Sequence, residues 1–205
     1  MTPADPATLI ADAPAAEQLP LSKQLKAGTR RNHDTVDTLV MQARPFESLV
    51  RYGYFLLVQH RFHGAINALY DDITLNRLLP GLSELPRFDA VRADISDLGL
   101  ALPPPPAAAV PASAHVALGW LYCSEGSNLG AAFLFKQTQQ LGLSADKGAR
   151  HLAAHPEGRG LHWRQFVALL DGLELSESQR EEAVSGAVAA FDFYRAALRE
   201  LFPTL

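Results

Sequence analysis

Apolar residues recur every three to four positions along most of this sequence, and nowhere do they alternate with a period of two over a useful length. A chain patterned this way buries one face of successive helices and has no face to offer a sheet. The expected fold is all-α, a single-domain helical bundle. The first helix starts near Pro20, whose fixed φ suits a first turn, and runs to Met41 through Leu21, Leu25, Val36, Leu39 and Val40. Pro45 stops it, because the residue before a proline is pushed out of the α region. A second helix from about Ser48 to Tyr70 is apolar on most sides, which marks it as central. A loop with a short helix fills Asp72 to Pro86, and another helix spans about Phe88 to Leu98. Pro103 to Pro106 and Pro111 make a stiff, extended spacer. Three more helices follow, from Ser113 to about Leu141, Leu161 to Leu170 and Ser176 to Phe202.

Composition narrows the class. With 205 residues, 48% hydrophobic and 20% charged, the chain has the balance of a globular domain rather than a disordered one. A net charge of −4 argues against a nucleic-acid binder, which needs a basic surface. No apolar run approaches the roughly 20 residues of a membrane span. The single cysteine, Cys123, fits a reducing cytoplasm and reads as a buried, inert thiol. Residues 1–19 are acidic and rich in Ala and Pro, and lack the basic start and apolar core of a secretory signal. They read as a mobile tail before a domain over 20–205. No large apolar stripe is left over, so a monomer is expected.

Three groups of residues carry possible chemistry. His33 shares a helix face with Leu25, Thr29, Val36 and Val40, and a lone histidine there fits a satisfied core residue as well as a ligand. Lys26 lies two turns earlier on that face, roughly 10.5 Å along the axis. That is about the span from a haem iron to a propionate carboxylate, so an imidazole ligand and an ammonium anchor fit one face. The second group is Gly119-Trp-Leu-Tyr-Cys-Ser-Glu-Gly-Ser-Asn-Leu-Gly130, where Gly126 and Gly130 share a face with Tyr122 and Phe133. Each glycine inside a helix costs about 0.5–1 kcal/mol relative to alanine, so two on one face need a reason. Spacing alone fits close helix packing as well as contact with a flat ligand. The third group is Gln59 and His63, a polar i, i+4 pair on the apolar second helix. It fits either a water network beside a ligand or a structural hydrogen bond. His60 points elsewhere and is expected to be half-exposed. His162 and Trp163 read as packing residues, and His151 with His155 as a solvated pair rather than a metal chelate, since Pro156 frays that turn.

The blocks LKAGTRRNHDTVDTLV, VQHRFHGAI, SEGSNLGAAFL, GRGLHW and FDFY resemble the bacterial biliverdin-producing haem oxygenases over roughly Leu21 to Phe202. The resemblance implies a haem-oxygenase-like bundle with haem between a proximal and a distal helix. It implies His33 as the iron ligand and Gly126 and Gly130, accompanied by Ser127 and Asn128, as the distal glycines lying over the haem. Gln59, His63 and Arg87 then belong to a distal polar network, Lys26 and Tyr122 contact propionates, and Phe191 and Trp163 are pocket or core aromatics. Haem is cofactor and substrate together: with dioxygen as co-substrate and electrons from a ferredoxin- or flavin-type reductase, it is cleaved to biliverdin, ferrous iron and carbon monoxide. Relatives that cleave away from the α position lack the Lys and Tyr found here at Lys26 and Tyr122, so the α isomer is expected. A carrier or sensor of the same fold would keep His33 but has no need of the open glycine face. A non-haem di-iron site is disfavoured, because no Glu here has a His three residues later.

Overall fold

Ser113 and Ser176 each sit in extended backbone and accept a hydrogen bond from the first turn that follows, and Ser48 does the same earlier in the chain. These N-caps punctuate a computed structural model that describes residues 18–203. Seven α-helices run in order: α1 Leu21–Ala43, α2 Leu49–Tyr70, α3 Ile73–Leu78, α4 Phe88–Asp97, α5 Ala114–Thr138, α6 Arg159–Asp171 and α7 Glu177–Leu201. The described residues hold no strand, only isolated bridges at Ser144, and no helix among them is long and apolar enough to cross a membrane. The expected tail lies outside the described residues except for its last two positions.

Local chemistry explains the boundaries. α1 ends at Arg44, which turns into the left-handed region with φ 43°, immediately before Pro45. α7 opens with a full capping box, Ser176 and Gln179 satisfying each other's backbone N–H groups. α1 has no side-chain cap of its own from Pro20. Instead Asp171, at the end of α6, accepts from the Ser22 N–H and Ser22 Oγ, both at 2.8 Å. A carboxylate at a helix N-terminus also complements the macrodipole.

α7 is the spine: it packs on α5, α1 and α2. Its small residues Ala183, Gly186, Ala187 and Ala190 form a buried stripe at helical spacing. A Cβ at Gly119 would lie 2.0 Å from the Ala183 carbonyl oxygen, and one at Gly186 the same distance from that of Val116. The α5 and α7 backbones therefore touch at the first turns of α5. Two apolar clusters flank the spine. One gathers Leu21, Leu25, Phe62, Ile66, Leu118 and Leu121; the other gathers Leu39, Val40, Phe55, Leu56, Val91 and Leu198. A fully buried Leu or Phe of this kind contributes about 1.5–3 kcal/mol.

α2 is central, as its composition predicts, and this corrects the expectation for His60. It is 2% exposed, covered by the Phe88 ring of α4 at 5.0 Å. α2 keeps an exposed edge along Val50, Tyr54 and Ala68, and His60 lies off that edge, under α4. The proline-rich connector straps the same helix. Pro106 lies on Gly64, and the Ala109 N–H donates to the Ala65 carbonyl at 2.7 Å.

Candidate active site

The second half of α5 carries Gly126 and Gly130 differently from Gly119. A Cβ at Gly126 would meet only the Trp163 ring of α6, at an ordinary 3.4 Å, and one at Gly130 would meet nothing within 4 Å. Neither glycine is used for helix packing. Their face is exposed and largely apolar, with Leu129 and Phe133 open to solvent and Tyr122 half-buried against Trp163 at 5.4 Å. Burial pushes the Tyr122 phenol up to about 12, with lesser contributions from Cys123 and Asp171, so the hydroxyl is a donor at neutral pH. A bare helix face edged by a phenol can receive a flat aromatic body.

His33 lies on the exposed side of α1, its side chain 61% exposed, rather than in the core. Its Nδ1 is 3.3 Å from Asp37 Oδ2, and its ring meets Phe191 of α7 edge-on at 6.1 Å. A carboxylate on Nδ1 holds the proton there and leaves Nε2 free to ligate a metal. Lys26 is exposed two turns back on the same helix. An imidazole on one element and a bare helix face on another suit a planar metal macrocycle, and the phenol and ammonium suit its acidic groups.

The polar residues sort into two buried groups. Gln59 does not pair with His63; its amide donates to the Tyr194 hydroxyl at 2.6 Å. His63 is 5% exposed with its Nδ1 unpartnered among the described residues. Burial, then the neighbouring His151 and Arg87, hold its pKa down to about 3, so the ring is neutral. Arg87 donates from Nη1 to the His151 and Ala153 carbonyls at 2.7 and 3.1 Å. His151 itself corrects an expectation. It is no solvated partner of His155 but is 3% exposed and bonded through Nδ1 to Asp94 at 2.7 Å. The reason is local: only a short 3-10 turn, Arg150–Leu152, forms there before Ala153 extends, so helical i, i+4 spacing does not apply.

The second group lies behind α5, away from the glycine face. Glu125, 2% exposed, accepts from the Tyr70 hydroxyl at 2.7 Å and bonds His162 Nε2 at 2.8 Å. Asn128 donates to the same carboxylate at 3.3 Å, so its side chain points opposite to Gly126 and Gly130. Ser127 is exposed and donates to the Ser124 carbonyl of its own helix. His162 packs as expected, but as the polar partner of a buried acid, and His155 stacks on it at 4.6 Å. Cys123 donates weakly to the Ala187 carbonyl at 3.4 Å, and burial pushes its thiol up. Asp94, His151, Glu125 and the role of His162 escaped the sequence reading. Glu125 had a signal: it is the only acid in the otherwise apolar run Ala114–Thr138.

Comparison with known proteins follows the same lines. The family model described as heme oxygenase matches residues 19–200. The chain is 41% identical over 183 residues to the heme oxygenase PigA of Pseudomonas aeruginosa, covering 88% of this chain and 92% of the relative. A solved heme oxygenase of Neisseria meningitidis, bound to NO and CO, superposes with a TM-score of 0.83 and 47% identity over 91% of this chain and 94% of that one. Heme oxygenase 2 of Chlamydomonas reinhardtii, crystallised without haem, shares the fold at a TM-score of 0.64 and 18% identity, over 90% and 98% of the two chains.

Proposed function

The chain belongs to the haem oxygenase family, and on that premise we propose how its own residues carry out the cleavage of haem to biliverdin. Haem, when bound, supplies both the iron that activates dioxygen and the porphyrin that is oxidised. His33 ligates the iron through Nε2, with Asp37 on Nδ1 and the edge of Phe191 limiting the ring's rotation. Lys26 and the Tyr122 hydroxyl hold the propionates. Gly126 and Gly130 would let the α5 backbone lie close to bound haem, and Trp163 backs Gly126.

The distal side is built to move protons gently. His63 is neutral, and Gln59 is held by Tyr194. Arg87 adds a half-buried positive charge, and α5 itself puts no carboxylate on the face of Gly126 and Gly130. Such a wall delivers protons through weak donors and leaves the bare backbone to steer oxygen sideways by contact. Asn128 supports Glu125 behind the helix, and Ser127 bonds its own backbone, so both act on the shape of α5 rather than on the reacting atoms. With Lys26 and Tyr122 both present, the product is the α isomer. The enzyme works as a cytoplasmic monomer with a ferredoxin- or flavin-type electron donor docking at the exposed haem edge.

The observation that carries this reading is the empty space over Gly130 on a helix that also carries Gly119, which is in backbone contact with α7. The test is absorption spectroscopy with one equivalent of haemin, then ascorbate in air, and chromatography of the product. A histidine-type Soret band that decays into a broad α-biliverdin band is expected. A mainly β or δ product would remove the roles given to Lys26 and Tyr122, and a stable Soret band would remove the oxygen-steering role of the glycines.

A further inference from the structure

Asp94, on α4, is fully buried against the turn after α5, and all its side-chain hydrogen bonds go to one short segment. Its Oδ1 accepts from the Arg150 N–H at 2.9 Å and from Arg150 Nη1 at 3.3 Å. Its Oδ2 accepts from the His151 N–H at 3.0 Å and meets His151 Nδ1 at 2.7 Å. Two backbone N–H groups and a guanidinium are unambiguous donors, so the carboxylate acts as acceptor throughout. The His151 proton therefore sits on Nδ1, and Nε2 is bare. That Nε2 is buried with no partner among the described residues, and so is Nδ1 of the neighbouring His63. Buried polar nitrogens call for a hydrogen-bond partner, and these two lie side by side in one polar cluster.

We propose that Asp94 is a positioning residue of the haem reaction: it locks His151 as the Nδ1–H tautomer, so that Nε2 is a fixed proton acceptor in the buried cluster with His63. Any water or hydroxyl that meets this nitrogen must donate to it, which sets the direction in which the cluster hands on protons. The same logic holds wherever a buried carboxylate orients a working histidine: an amide in its place keeps the shape and permits the wrong tautomer. Burial supports the assignment by keeping the His151 ring neutral. The charged and titratable groups facing the ring are Asp94, Arg150, Arg87 and His63, with Asp97 paired to Arg150 and Tyr52 facing Asp94.

The functional half of this proposal rests on the haem oxygenase reading, while the tautomer is measured without haem. Nitrogen-15 NMR of the haem-free protein should show His151 protonated on Nδ1, and Asp94→Asn should move the proton to Nε2. In the haem-loaded ferric variant, haem affinity should stay unchanged. The pH of the acid–alkaline transition should shift, and turnover should fall at least about tenfold. A purely structural Asp94 would alter stability but neither the tautomer nor the transition. An Nε2–H tautomer in the wild-type protein overturns the proposal even if Asp94→Asn fails to fold. So does wild-type turnover in His151→Phe, which keeps the ring's bulk and removes the acceptor. A wild-type protein that does not degrade haem would instead strike the site reading above.

Discussion

α5 carries one glycine, Gly119, buried against another helix and two, Gly126 and Gly130, facing outward, and residue type does not distinguish them. Gly119 meets its counterpart Gly186 where α5 and α7 touch backbone to backbone; a Cβ on either would strike a carbonyl at 2.0 Å. Gly130 one could fill without contact, and Gly126 meets only a tryptophan ring at van der Waals distance. Glycine in a helix is destabilising on propensity alone. At the first site the penalty is offset by packing within the fold. At the second nothing in the folded chain offsets it, which points to something outside the chain.

The largest effect should come from filling the packed site. Gly119→Leu forces the α5 and α7 backbones apart and should destabilise the protein by about 3 kcal/mol or more, lowering Tm by about 10 °C or preventing folding. Calorimetry of the haem-free protein reads it, and a wild-type Tm would dissolve the contrast. His33→Ala tests the iron ligand proposed above. Because that side chain is exposed, Tm should hold while the histidine-type Soret band is lost, and added imidazole should restore part of the band. Gly130→Phe should fold like the wild type yet lose about two orders of magnitude in turnover, since it fills the face proposed above for haem. Full activity there would mean the space is not used.

A smaller effect depends on pH. The half of α5 with the open pair packs on α6 and the 3-10 turn, which hold the buried histidines His162 and His151, and His63 lies beside His151. His63 has a folded pKa near 3 against 6.5 when unfolded. The unfolded chain therefore binds the extra proton first, and stability falls as pH drops from about 6.5 toward 3. Urea midpoints at pH 7.5, 6 and 4.5 should show this, and His63→Gln should flatten the slope. The smallest change is Gly130→Ala, which should raise the Tm of the haem-free protein by about 2 °C, because alanine favours the helix by about 0.8–1 kcal/mol and meets nothing.

What could be read in the sequence follows how far each interaction reaches along the chain. Helices are local, and Pro45, Ser113 and Ser176 mark their limits within a residue or two of the observed ends. The face shared by Gly126 and Gly130 is also local and was visible as spacing. Which glycines pack was not, because the answer lies in Ala183 and Val116 on or against a helix that crosses from far away. The buried acids show the same limit. Asp94 reads as one more aspartate in an amphipathic helix until its partner arrives 57 positions later. His60 shows the limit again, since α2 keeps an exposed edge at Val50, Tyr54 and Ala68 and only Phe88, arriving with α4, covers His60.

The cap on α1 has a consequence for the order in which the molecule is made. The helix that bears His33 is synthesised before the other described helices. Yet its first turn is held by Asp171, 149 positions away, and its packing partners are α6 and α7. At roughly 5–20 residues per second, those partners emerge on the order of ten seconds or more after α1. Until then His33 belongs to a helix without its cap or its neighbours, and helices left alone in water are marginal. A nascent chain therefore presents no finished pocket to free haem, and the site comes into being only when the last helix closes over the first.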